Sequence, residues 1–84
     1  MIATINYLLG AEATINSSGT TFNGATVVRV YNQTGSDVIV TVKASGGAVT
    51  GSMTVKGGDT VYVQKGPSES ISAASGLKMV PVGF

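Results

Sequence analysis

The sequence predicts an all-β protein, a small single-domain β-sandwich or β-barrel of about seven short antiparallel strands, on three observations. Val, Ile and Thr fill 27 of 84 positions while Leu supplies three, and β-branched side chains favour pleated over helical backbone. Gly, Ser and Thr together account for 31 positions, so uncharged polar residues rather than ions solvate the chain. Apolar and polar residues alternate in short stretches that recur every 8–12 residues or so, with turn clusters between them.

Taken in order, Ala3–Tyr7 and Ala13–Ile15 read as short strands, and 17–24 reads as a loop or wide turn. Thr26–Gln33 sets Val28 and Val30 on one face against Val27, Arg29 and Tyr31 on the other. Asp37–Ala44 is cleaner, with Val38, Val40 and Val42 opposite Ile39, Thr41 and Lys43. Asn32-Gln33-Thr34-Gly35-Ser36 between them has the length of a hairpin turn, with Gly35 at a positive φ. Val49, Gly51, Met53 and Val55 share the next face, and the Gly46-Gly47 and Gly57-Gly58 pairs read as hairpin turns. Thr60–Lys65 follows with Val61 and Val63 inward, ended by Gly66-Pro67. Strands at Ser70–Ala73 and Leu77–Val82 complete the set, and Pro81, which cannot donate to a ladder, is expected at an edge or strand end. Residues 1–25 form an N-terminal segment, either a contact arm or the first strands, and 26–84 form the sandwich body of the same domain. The echoes Ala3-Thr4-Ile5-Asn6/Ala13-Thr14-Ile15-Asn16 and Thr41-Val42-Lys43/Thr54-Val55-Lys56 do not persist as a repeat.

Charge and residue type narrow the function. Five cations against four acids give a net charge of +1, and no two cations lie closer than nine residues, so nucleic-acid binding is not expected. The start MIATINYLLGAEA has neither a basic n-region nor a long apolar core, so synthesis in a cytoplasm without a secretory leader is expected. No run approaches a membrane span. The absence of Cys fits a reducing compartment. The triplets Asn16-Ser17-Ser18 and Asn32-Gln33-Thr34 are then chance matches to a glycosylation signal.

With no His and no Cys, nucleophilic catalysis reduces to a Ser–Lys pair, and most serines sit in Gly-rich turns. Asp37 and Asp59 stand beside glycines at strand entrances, where a short carboxylate caps turn N–H groups. Neither Gly pair is followed by the Lys-Ser/Thr of a phosphate loop, and no metal-ligand spacing occurs. No enzymatic activity, catalytic residue, cofactor or metal is therefore expected. Tyr31 and Tyr62 lie opposite the inward valines of their strands and form a possible exposed aromatic patch, suited to a glycan if not simply to sheet packing.

Both ends of the chain are apolar. Ile2, Ile5, Tyr7, Leu8 and Leu9 near the start and Phe84 at the end exceed what so small a core absorbs, which predicts contacts with other subunits. The stretch Val27-Val28-Arg29-Val30-Tyr31-Asn32, then Asp37–Val42, then 57–71 with its Lys65-Gly66-Pro67 exit resembles small capsid decoration (cement) and minor virion structural proteins of tailed bacteriophages. That resemblance covers Val27 to Phe84 and implies a non-enzymatic role on the virion, with the major capsid protein and sister copies as partners. The alternative is a small Ig-like module binding carbohydrate or a receptor, including a tail or fibre component.

Overall fold

The computed structural model describes residues 7–83. Eight strands form two sheets: β1 (Tyr7–Leu8), β2 (Ala13–Ile15), β3 (Val27–Tyr31), β4 (Val38–Lys43), β5 (Val49–Val55), β6 (Thr60–Gln64), β7 (Ser70–Ala73) and β8 (Leu77–Gly83). The larger sheet runs β1-β8-β3-β6, with β2 continuing the β1 side of β8, and the smaller runs β5-β4-β7. Every pairing is antiparallel. This is a β-sandwich-like fold, as the composition and alternation predict. Of the expected strand Ala3–Tyr7, only Tyr7 lies within the described residues.

Alternation places the core. Val28, Val30, Leu77 and Met79 of the large sheet meet Val38, Val40, Val55, Ile71 and Ala73 of the small one, all buried, with Val61 and Val63 packed alongside. Strand periodicity sends Val27, Arg29 and Tyr31 to the outer face. Fully burying a Val or Leu contributes about 1.5–3 kcal/mol, so this layer supplies most of the favourable free energy of folding.

Two expected hairpins do not form. β3 pairs with β6 and β8, and β4 with β5 and β7, so residues 32–37 cross from one sheet to the other, as do 56–59 between β5 and β6. Gly35 is not at a positive φ. The crossings are organised by Asn32, which is completely buried. Its Nδ2 donates to the carbonyls of Ser36 and Val55, each at 2.8 Å, and its Oδ1 accepts from Thr34 N (2.9 Å) and the Thr34 hydroxyl (2.6 Å). Its backbone N–H donates to Asp59 O and its carbonyl accepts from Gly58 N. One side chain thus satisfies both crossings, which leaves Asn32 inaccessible as a glycosylation acceptor. Gly57 lets them touch: a Cβ there would lie 3.0 Å from backbone atoms of Thr34, Gly35 and Ser36. Only the Gly46-Gly47 pair makes a hairpin, β4 to β5, with Gly47 at φ +92° and Ala44 N donating to Ala48 O at 2.8 Å.

Pro81 is likewise not at an edge. It sits inside β8, between β3 and the β1/β2 side. Its carbonyl points away from β3 and accepts from Leu9 N at 3.0 Å, so its ring nitrogen faces the same way. The β3 ladder loses nothing, and the missing donor falls where β1 ends and the chain loops out before β2.

Candidate functional site

Of the apolar residues near the chain ends, Leu8 and Leu9 are brought to the surface. Neighbours on an extended strand point to opposite sides, and the two are 60% and 55% exposed. Both are held by β8, Leu8 opposite Val82 and Leu9 through Pro81 O. Tyr7 pairs with Gly83. Ile2, Ile5 and Phe84 lie outside the described residues.

Leu9 borders an open cleft of about 460 Å³ whose other wall is the turn Phe22–Gly24 with Ala25 and Pro81. In that turn Phe22 (φ 51°), Asn23 (φ 54°) and Gly24 (φ 83°) are all left-handed, a conformation costly for a residue with a Cβ. Lys65 holds it. The Lys65 side chain is buried, and its Nζ donates to Ala25 O at 2.7 Å, Thr21 O at 2.8 Å and Gly66 O at 3.3 Å. Burial pushes its pKa below the ordinary lysine value, against the opposing pull of Glu69.

A second open cleft, about 370 Å³, lies between the edge strands β5 and β6. Val40, Val42, Met53 and Val63 give it apolar walls, and Thr50, Gln64 and Glu69 line it with polar groups. The register of β4 on β5 shifts by one residue between Val42 and Lys43, which makes Thr50 the extra residue of a bulge and re-aims its side chain. Thr50 Oγ1 lies 2.6 Å from Glu69 Oε2 and 3.1 Å from Val42 O. Glu69 Oε1 accepts from Gly66 N at 2.6 Å.

The Thr50 hydroxyl, then the Gly66 N–H, then nearby Lys65 hold the Glu69 carboxyl below its ordinary value of 4.5, against partial desolvation. A depressed carboxyl contributes stability above its unfolded pKa and loses it as pH falls through the lower folded value. Glu69→Gln should therefore narrow the difference between urea midpoints measured at pH 7 and pH 3. An unchanged difference would show that the Thr50 and Gly66 contacts do not tie β5 to the β6–β7 corner.

The outer face of the large sheet carries the two tyrosines. The register sets Arg29 opposite Tyr62 and Val80, and Tyr31 opposite Thr60 and Lys78, so Tyr31 and Tyr62 are diagonal neighbours on one face. Tyr62 is 45% exposed. Arg29 Nη1 lies 3.9 Å from Glu12 Oε2. Among the described residues no three metal-ligating side chains come together, and no helix is long and apolar enough to cross a membrane.

No family model, curated protein or solved structure matches this chain. Alternation found Leu8, Leu9, Tyr31 and Tyr62. It missed the Glu69–Thr50 contact, because a bulge breaks the period on which it relies. It also missed the openness of β5, where Gly51 and Met53 share a face with Val55 and yet only Val55 is buried, and where the bulge turns Val49, expected on that face, to the other side with Lys43.

Proposed function

We propose that this chain is a non-enzymatic structural protein of a bacteriophage virion, decorating or cementing the major capsid lattice alongside sister copies. The observation that carries the reading is the pair Leu8 and Leu9, both more than half exposed, Leu8 on β1 opposite Val82 of β8 and Leu9 just past it with its N–H on Pro81 O. Two adjacent exposed leucines, one in β1 and one just past it, suit burial against other subunits, at about 1–2 kcal/mol each before association costs for the part not already covered. The resemblance of residues 27–84 to phage decoration proteins supplies the particle. Many equivalent lattice sites make modest affinity per copy sufficient. Such a chain is made in the host cytoplasm and ends in the virion.

Mass spectrometry of purified particles should find it in large, stoichiometric ratio to the major capsid protein. A handful of copies would move it to the neck, tail or fibre, and none would end the reading. The double variant Leu8→Ser/Leu9→Ser should keep its circular dichroism and bind particles at least about tenfold more weakly. A second reading, an Ig-like module for carbohydrate or a receptor, is favoured by Tyr31 and Tyr62 sharing a face with Arg29 and Lys78. Saturable glycan binding lost in Tyr62→Ala would put it first.

A further inference from the structure

We propose that Asn23 and Gly24 form a self-modifying site, at which the Gly24 nitrogen displaces ammonia from the Asn23 side chain and water then leaves aspartate or isoaspartate, at a rate set by the Lys65 brace. The chain has four asparagines, and only Asn23 is followed by glycine. Ring closure joins the backbone nitrogen of the next residue to the asparagine Cγ, and a side chain on that residue crowds the ring. Glycine has none. Asn16 precedes Ser17 and its Oδ1 accepts from Ser18 N, whereas Asn32 is completely buried with both side-chain polar atoms hydrogen bonded. Asn23 is exposed, and its side-chain amide has no hydrogen-bond partner among the described residues.

The bonds balance with water as the sole co-reactant. Gly24 N bonds to Asn23 Cγ, its proton ends on the leaving nitrogen, and the Cγ–Nδ2 bond breaks to release ammonia and leave a cyclic imide. Water then opens the ring at either carbonyl. Attack at Cγ restores the ordinary backbone with an aspartate at 23, and attack at the main-chain carbonyl leaves the chain running through Cβ as isoaspartate. Nothing is oxidised or reduced.

The folded turn holds this chemistry in check. Asn23 has ψ 36°, which sets the Gly24 nitrogen nearly trans to Cβ, whereas a five-membered ring needs the two nearly eclipsed. Gly24 N also donates to Thr21 O at 3.2 Å, and Ala25 N to Phe22 O at 3.2 Å. Ring closure therefore passes through an opened turn. Opening is confined to residues 21–25, since Thr20 and Ile71 keep their exchanged backbone bonds on one side and Lys65 N keeps its bond to Thr26 O on the other.

Two opposed effects set the open population. Opening releases the left-handed strain at Phe22 and Asn23. It also breaks the contacts of Lys65, whose Nζ binds Thr21 O and Ala25 O on the two arms of the turn. Ring closure is slow beside the motion of a loop, so its rate follows the fraction of chains with the turn open. The product places a carboxylate on the wall of the cleft that Leu9 borders and cancels the single net positive charge of the chain. None of this rests on the virion reading.

Incubation of the full chain at one fixed pH, followed by peptide mass mapping, measures the rate at each asparagine. Asn23 should gain one mass unit and yield a separately eluting isoaspartyl peptide ahead of Asn16 and Asn32, and more slowly in the folded chain than in urea. Lys65→Met should modify Asn23 at least about tenfold faster than wild type, as expected from the loss of one charge-assisted hydrogen bond, with the two chains equal in urea. Val61→Ala loosens the core on β6 and leaves the contacts of the turn intact, so it should keep the folded rate within about twofold of wild type. If Lys65→Met does not fold by circular dichroism, the comparison of Val61→Ala with wild type decides by itself. Asn23 modified no faster than Asn16 in the folded chain, or as fast as in urea, would overturn the proposal. So would a folded Lys65→Met with the wild-type rate, or a Val61→Ala rate beyond that bound.

Discussion

Asn32→Ala should lower the unfolding free energy by about 3–5 kcal/mol, the largest effect expected of any polar substitution in this chain. The side chain makes four hydrogen bonds in a fully buried position, each worth about 0.5–1.5 kcal/mol net, and removal strands buried groups that cost more than the bonds they lose. A domain of this size has a total stability of roughly 4–12 kcal/mol, so the variant should lose about a quarter of it or more. Asn32→Asp should be no better, since it replaces two N–H donors with acceptor oxygen facing the carbonyls of Ser36 and Val55. Urea denaturation followed by circular dichroism measures this directly. A loss under about 1 kcal/mol would mean that the two sheet crossings hold without Asn32.

Lys65→Met should cost about 2–4 kcal/mol: hydrogen bonds to a charged group are worth about 1.5–3 kcal/mol each, and the variant recovers part of the ammonium's desolvation cost. Methionine keeps much of the stem's packing and removes the donor that ties Thr21 O to Ala25 O, so the left-handed turn at Phe22 and Asn23 loses its brace. The pH dependence separates this role from simple packing. Burial lowers the folded pKa of Lys65 below the ordinary 10.5, so between the two values the unfolded chain binds more protons than the folded one, and stability rises with pH across that window. Wild type should show this rise relative to Lys65→Met as pH approaches 10.5. Parallel curves would mean that the ammonium is not held out of water in the folded chain.

Much of the strand set was legible because it rests on local alternation. Val28 and Val30 against Arg29 and Tyr31, or Val38 and Val40 against Ile39, declare a face through a period of two that any strand must obey. The turns were less legible. A five-residue Asn-Gln-Thr-Gly-Ser cluster satisfies the chemistry of a hairpin and of a sheet crossing equally, and only the partners of Asn32, its side chain reaching 23 residues away to Val55 and its backbone to Gly58 and Asp59, distinguish them. Of the candidate surface, Leu8 and Leu9 could be read from adjacency alone, whereas the Glu69–Thr50 contact required the bulge in β5 to be in place.

The sequence by itself determined that this is an all-β chain, which residues face inward on β3, β4 and β6, and that its leucine-rich start would be displayed. Those are properties of single strands, set by side-chain alternation and by β-branched composition. Tertiary structure alone decided which strands share a sheet, why an interior strand tolerates Pro81, and why Asn32 and Lys65 are buried. It also decided that β5 lies at the edge of its sheet among the described residues. Each of these depends on where a peptide N–H or C=O points relative to a strand distant in sequence, and a one-residue change in register reverses that direction without altering local composition.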